Sequence, residues 1–311
     1  MIPKGMRGRD PALIIPIREV VVFRGSIAAL ITPFKNGQVD EETYRELVEF
    51  QIANGTSAIS PVGTTGESAT LSFEEHKRVI QIAVEAVNKR VPVIAGTGAN
   101  NTAEAIELTE YAKKAGADAA LLVSPYYNKP TQEGLFQHYT AIAKAVPFPQ
   151  VLYNVPGRTG SNMLPETTAR LAELPEVVAI KEASGDLVQM AEIQRLCGDK
   201  LTLLSGDDNI TLPLLSLGGK GVVSVVANII PADSAAVVKA WEDGNVAQAQ
   251  KNFMKILPLC KAMFYETNPI PVKTALALMG KITGGFRLPL CEMAPANLEK
   301  LKAALKAYGL L

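Results

Sequence analysis

The chain has 311 residues, 48% of them hydrophobic, with 31 basic and 31 acidic side chains. That is ample material for one large core or two ordinary ones, and zero net charge argues against nucleic acid or an anionic membrane surface as the main partner. Three widely spaced cysteines (Cys197, Cys260, Cys291) and only two histidines (His76, His138) offer no zinc spacing, no disulfide framework and no histidine-rich metal site, and they fit a reducing cytoplasm.

Met1–Asp10 is basic and loop-like, and Ala12–Phe23 is apolar but interrupted by Arg18 and Glu19. That stretch is too short and too charged to cross a bilayer, and no small-residue cleavage site follows a clean apolar run. Neither a secretion signal nor an anchor is expected. From Gly25 onward, strands and helices alternate. Ser26–Thr32 reads as a strand and Asp40–Asn54 as an amphipathic helix. Ala58–Val62 is a strand; Ser72 caps a helix over Phe73–Asn88, with Glu75 completing a capping box. Pro92–Gly96 is a strand and Thr102–Ala115 a helix with Gly116 at its C-cap. Strands at Ala119–Ser124 and Gln150–Asn154 precede helices at Gln132–Val146 and Pro165–Glu173. Strands at Val177–Lys181, Leu201–Ser205 and Gly221–Val226 precede helices at Leu187–Cys197, Ile210–Leu217 and Ala232–Trp241.

Repeated strand–helix units imply parallel strands joined by crossover helices, and eight of them at this spacing predict an α/β fold, a closed (β/α)8 TIM barrel. An open doubly wound sheet would need a glycine-rich phosphate loop; Gly96-Thr97-Gly98 is the nearest candidate and lacks the third glycine. Beyond Val246, helices are expected at Ala247–Phe264, Pro271–Met279 and Asn297–Tyr308. The organisation is thus an extension over residues 1–22, a catalytic barrel over 23–245 and a C-terminal helical appendage over 246–311.

In such a barrel the reactive groups sit at the C-terminal ends of the strands. The sixth strand delivers Lys181 after the apolar run Val177–Ile180. Burial disfavours an ammonium, and a partly neutral amine attacks carbonyls to form a Schiff base. Equally, this lysine could carry its head to the rim or pair with Glu182. The second strand ends in Gly63-Thr64-Thr65-Gly66-Glu67, whose glycines let backbone N–H groups face a small anion. A plain turn with threonine caps reads the same way. The fourth strand leads to Tyr126-Tyr127, the fifth to Tyr153-Asn154-Val155-Pro156-Gly157-Arg158, and the seventh to Gly206-Asp207-Asp208. Taken singly, a tyrosine is more often rim packing and an arginine a surface ion pair. Together, an amine, a phenol, two hydroxyls in an anion-shaped loop and an arginine suit imine chemistry on a small keto acid.

Gly63-Thr64-Thr65-Gly66-Glu67, Tyr153-Asn154-Val155-Pro156 and the strand-end Lys181 resemble the pyruvate-dependent class I aldolases of the N-acetylneuraminate lyase superfamily. Gly157-Arg158-Thr159-Gly160 and Val91-Pro92-Val93-Ile94-Ala95-Gly96-Thr97-Gly98 are similar to the branch that condenses pyruvate with L-aspartate 4-semialdehyde, the first committed step of diaminopimelate and L-lysine biosynthesis. The likeness runs from Phe23 to Leu311 and includes Asn268-Pro269-Ile270-Pro271-Val272-Lys273. Arg158 discriminates, since sialic acid lyases usually lack an arginine there.

The resemblance implies that Lys181 forms an imine with pyruvate and that Tyr153 is the acid/base group beside it. Thr65 would link Tyr153 by hydrogen bonds to Tyr127, which reaches in from a neighbouring subunit. Thr64 and Thr65 would hold the pyruvate carboxylate, and Arg158 would bind the semialdehyde carboxylate and steady the tyrosine relay. Gly206 and Val223 would line the pocket mainly through backbone, with isoleucine more usual at the latter position. No cofactor beyond the covalent pyruvate imine and no metal is implied. A homotetramer, a dimer of dimers, is implied as well. So is inhibition by L-lysine at a cavity between subunits, lined by Ser68, Ala69, Phe73, His76, Asn100, Glu104 and Tyr126. Phe73 replaces a histidine found in some lysine-sensitive relatives, so potency is expected to differ. Without the resemblance, His76 and Glu104 would read as ordinary exposed helix residues. Val22-Phe23-Arg24-Gly25-Ser26 is similar to the Met-Phe-x-Gly-Ser start of relatives, which places residues 1–21 upstream of the expected true start, disordered if made. Two other readings stand: a lyase that splits a sugar acid such as N-acetylneuraminate, and a non-catalytic keto-acid sensor.

Overall fold

The computed structural model describes residues 22–311. The expected extension over 1–22, including the proposed upstream segment 1–21, lies outside the described residues except for Val22. Eight parallel strands form the barrel: β1 Gly25–Ala29, β2 Ala58–Ser60, β3 Ile94–Gly96, β4 Ala119–Val123, β5 Gln150–Asn154, β6 Val177–Glu182, β7 Thr202–Ser205 and β8 Gly221–Ser224. β1 pairs with both β2 and β8, so the sheet curls back on itself. The thinnest seam lies between β2 and β3, where one bridge, Ile59 to Val93, closes the ring. Two hydrogen bonds of 2.9 Å, Ile59 N–H to Pro92 O and Gly96 N–H to Pro61 O, support it.

Several strands end earlier than their apolar runs, for local reasons. Val62 has φ +48°, a left-handed backbone that cannot continue the β2 ladder. After β1, the Ile31 N–H donates to Asn228 Oδ1 at 3.1 Å rather than to a neighbouring strand. Apolar side chains beyond these points still bury, which is why hydrophobicity alone overextends the strands.

Alternate residues serve two cores. Ile27, Ile94, Leu121, Val151, Leu204 and Val223 fill the barrel interior, with Phe23 below β1. Ala28, Ile59, Leu122, Leu152, Ile180 and Leu203 pack outward against the helices. Both faces are buried, as a parallel barrel requires, so the strands read as continuous apolar runs.

The helices that cover the barrel are α1 Glu41–Ala53, α2 Phe73–Val87, α3 Thr102–Ala115, α4 Gln132–Ala145, α5 Pro165–Leu171, α6 Leu187–Cys197, α7 Thr211–Ser216 and α8 Pro231–Glu242. The Ser72–Glu75 capping box opens α2, an arrangement worth about 1 kcal/mol. Gly116 ends α3 at φ +95°. Three further helices follow: α9 Val246–Ala262, α10 Ile270–Leu278 and α11 Pro295–Tyr308. α8 and α11 each begin at a proline, one and two residues ahead of the expected starts, because proline suits the first helical position. The C-terminal helices share the core of the barrel's outer face. Phe253, Leu259, Leu276 and Leu305 belong to the same hydrophobic cluster as Leu47 and Val226 of the barrel.

Candidate active site

Lys181 and Tyr153 face each other across neighbouring strands. They are register partners on β6 and β5, and the Lys181 Nζ lies 4.0 Å from the Tyr153 ring centroid. Both side chains are buried inside the barrel. A strand alternates its side chains, so Glu182 points the other way, toward the helices. Its carboxylate accepts from Asn154 Nδ2 at 2.9 Å and from the Ser184 N–H at 2.7 Å. Burial raises the Glu182 carboxyl above its ordinary range, and these donors oppose that rise. Lys181 therefore neither pairs with Glu182 nor carries its head to the rim. Behind the strands, Asn154 also holds the Met163 N–H, at 2.9 Å, so one polar cluster fixes the β5–β6 register that sets lysine against tyrosine.

The loop after β2 is shaped by close packing. A Cβ on Gly66 would sit 2.8 Å from Val62 N, so only glycine fits. Thr32 Oγ1 donates to Gly66 O at 2.7 Å, and the Glu67 N–H to Thr64 O at 3.1 Å. Among the described residues, the N–H groups of Thr64, Thr65 and Gly66 have no protein acceptor. Three free donors in one tight turn form a concavity suited to a carboxylate.

Asn268 ties this loop to the arginine. Its Nδ2 donates to Thr65 Oγ1 at 3.0 Å, and its carbonyl accepts from Arg158 Nη2 at 3.1 Å. Arg158 sits on the helical turn Pro156–Thr159 that follows β5, exposed at the rim of the single chain. Neither Asn268 nor its bridging position was apparent as a functional feature of the sequence. The available signal was a polar residue beside a proline-rich helix start, Asn268-Pro269-Ile270-Pro271.

At the end of β7, Gly206 meets β6 closely. Its N–H bonds to Glu182 O at 2.7 Å, and a Cβ there would lie 2.5 Å from Ala183 Cβ. Val223, on β8, belongs to the interior cluster with Tyr153. Asp207 was given no role by the sequence. Burial raises its carboxyl above the usual range, while the positive charges of Lys181 and Arg158 oppose that rise. Asp208 is structural: its Oδ2 accepts from the Val225 and Val226 N–H groups at 2.9 and 3.0 Å, joining the ends of β7 and β8.

One expected contact does not form within a single chain. Thr65 Oγ1 bonds to Asn268, and among the described residues no hydrogen bond joins it to Tyr153 or Tyr127. Tyr127 is 88% exposed, on a left-handed backbone at φ +72°. Among the described residues, its ring is thus left largely uncovered.

A cavity of about 420 Å³ runs from Thr64, Arg158 and Asn268 toward the start of α2. Ser68, Ala69, Phe73, His76, Glu104 and Tyr126 all line it. Asn100 stands just behind, its Nδ2 donating to Tyr126 O at 3.3 Å. His76 is not the exposed helix residue that its sequence position suggests. It is buried, its Nε2–H donates to Gly96 O at 2.7 Å, and burial holds it below the ordinary histidine value, hence neutral. Its Nδ1 remains as an acceptor. Glu104 is half-buried in the first turn of α3.

Residues 22–308 match the model of the dihydrodipicolinate synthetase family. The chain is 63% identical over 290 residues to the 4-hydroxy-tetrahydrodipicolinate synthase of Geotalea uraniireducens, covering 93% of this chain and all of that protein. Among solved structures, the dihydrodipicolinate synthase of Acinetobacter baumannii complexed with pyruvate superposes with a TM-score of 0.91 at 50% identity, covering 93% of this chain and 99% of that one. The enzyme of Cyanidioschyzon merolae with lysine bound superposes with a TM-score of 0.90 at 46% identity, with coverage of 93% and 99%.

Proposed function

The chain belongs to the dihydrodipicolinate synthetase family, and we propose that it condenses pyruvate with L-aspartate 4-semialdehyde through an imine on Lys181. The observation that carries this reading is Lys181 buried against Tyr153 at 4.0 Å, in a barrel whose mouth also holds Arg158 and a loop with three free N–H groups. Lys181 Nζ attacks C2 of pyruvate, and water leaves to give the imine. Loss of a C3 proton gives an enamine, whose C3 bonds to the aldehyde carbon of the semialdehyde. The aldehyde oxygen becomes the hydroxyl. The substrate's amine then attacks C2, displaces Lys181 and closes the six-membered ring. Tyr153 is the group placed to carry protons at C2. The free amides of Thr64 and Thr65 take the pyruvate carboxylate, and Arg158 takes the semialdehyde carboxylate. Gly206 and Val223 shape the wall. The lysine supplies the electron sink, so the reading calls for no further cofactor. We place the enzyme in the cytoplasm, in keeping with three free cysteines. No helix among the described residues is long and apolar enough to cross a membrane. The sugar-acid lyase and the sensor are set aside in favour of the family's condensation.

The part of that cavity nearest α2 is assigned to L-lysine as a feedback inhibitor. Glu104 would hold one ammonium group of the effector, and neutral His76 would accept from it. The relative from Cyanidioschyzon merolae with lysine bound supports the assignment. In an assay with both substrates, coupled to dihydrodipicolinate reductase and NADPH consumption, the protein is expected to turn over and to slow as L-lysine is added. A flat response into the millimolar range would reject the regulatory assignment. Absence of turnover, with pyruvate still trapped by borohydride, would move the second substrate to a sugar acid.

The exposure of Tyr127 supports a shared site, in which the tyrosine completes the relay of a neighbouring copy within a homotetramer. Tyr127→Phe and Lys181→Ala enzymes should each be nearly inactive. Co-refolded, they should regain part of the wild-type rate, because some sites draw an intact lysine and an intact tyrosine from different chains. A mixture no more active than its parents would show that Tyr127 acts within its own chain or not at all.

A further inference from the structure

Glu67 closes the turn that carries Thr64 and Thr65. It is a non-glycine residue at φ +56°, a conformation that persists only where the surroundings over-determine it. Thr70 Oγ1 donates to its Oε2 at 3.1 Å, and Lys273 Nζ donates to its Oε1. Both partners of this ion pair are fully buried. Lys273 Nζ lies 4.2 Å from the Phe34 ring centroid and 5.2 Å from that of Phe286. Burial pulls the Lys273 ammonium below the ordinary lysine value, and the Glu67 charge opposes the fall.

A buried pair of this kind is a weak source of net stability, since desolvation offsets most of the attraction. Its geometry has a clearer consequence. Lys273 lies in the first turn of α10, its N–H bonded to Pro269 O at 3.0 Å. The same two segments, more than 200 residues apart in sequence, meet again at the Thr65–Asn268 hydrogen bond. One contact alone would leave a pivot, whereas two fix both the position and the tilt of the loop.

We propose that Glu67 and Lys273 are positioning residues for the condensation, holding the Thr64–Thr65 loop and the Asn268–Arg158 bridge at one spacing. The proposal rests on the reading that the loop holds pyruvate and Arg158 the semialdehyde. The pair thereby sets the distance between the two bound substrates.

The test uses the full-length enzyme, with borohydride trapping of pyruvate to count competent sites and the coupled assay to measure turnover per site. Glu67→Asp keeps the charge but shortens the arm. The double variant Glu67→Gln, Lys273→Met removes both charges at similar volume, a change that buried pairs usually tolerate in folding. Each is expected to trap pyruvate at saturation, to melt near the wild type, and to lose about tenfold or more in kcat per trapped site, with a raised semialdehyde KM. Wild-type kcat and KM per site in either variant would overturn the proposal. So would lowered melting with normal turnover per site, or failure of both variants to fold, because the pair would then be supporting the fold and not the spacing. A wild-type enzyme with no turnover would instead bring down the underlying reading of the site.

Discussion

Lys181→Ala is expected to abolish borohydride trapping of pyruvate and to lower turnover by about 10³-fold or more, the scale on which loss of a covalent nucleophile is felt. The folded barrel should survive the change. Lys181 makes no ion pair with Glu182, whose oxygens are taken by Asn154 and Ser184, and Asp207, which loses the nearby Lys181 charge, keeps that of Arg158. The truncation does empty space beside Tyr153 at the top of the barrel interior, and a modest loss in melting temperature is the expected cost. Lys273→Ala is the contrasting control. That lysine is also buried but belongs to an ion pair, so its removal should destabilise the protein strongly while leaving Lys181 able to trap pyruvate in whatever fraction folds. Trapping that persists in Lys181→Ala would mean that another amine is the nucleophile.

Arg158 should separate the two substrates. Charge-assisted hydrogen bonds from a guanidinium to a carboxylate contribute about 1.5–3 kcal/mol, so Arg158→Ala should lose roughly 10- to 100-fold in kcat/KM for the semialdehyde. The pyruvate KM should hardly move, because the carboxylate of pyruvate is assigned to the loop after β2. Arg158→Lys keeps a cation but not the planar fork, nor the same bond to Asn268 O, and should fall between wild type and alanine. Pyruvate trapping should be intact in both variants. Wild-type kinetics in Arg158→Ala would remove the arginine from the semialdehyde site.

Lys181, Tyr153 and Arg158 stand out in the sequence because each lies at or just beyond the end of a short apolar run, and a barrel places such positions at one mouth. The hydroxyl and glycine loop is equally local. Partners joined across the chain left no comparable mark. Asn268 and Lys273 acquire their roles from contacts 203 and 206 residues away, and no periodicity predicts which loop a C-terminal helix will meet. Apolar runs overextend the strands for a related reason: burial reaches Val62 and Ile31, while the ladder stops at a left-handed residue or at a side-chain acceptor. His76 looked exposed because helix position alone does not reveal that the Gly96 carbonyl lies above it. The exposure of Tyr127 emerges only once the barrel has formed and left it uncovered.

The bridge formed by Asn268 also sets an order of events during synthesis. A nascent chain that has emerged only through β8 already contains every barrel strand, the lysine and the tyrosine. It does not yet contain the residue that holds Thr65 and Arg158, nor the cation that neutralises Glu67. These anchors can form only after α10 has left the ribosome, and contacts of such long sequence separation are the slow ones to form. A chain stalled short of its C-terminal helices would carry the lysine but leave the Thr64–Thr65 loop and Arg158 without these anchors.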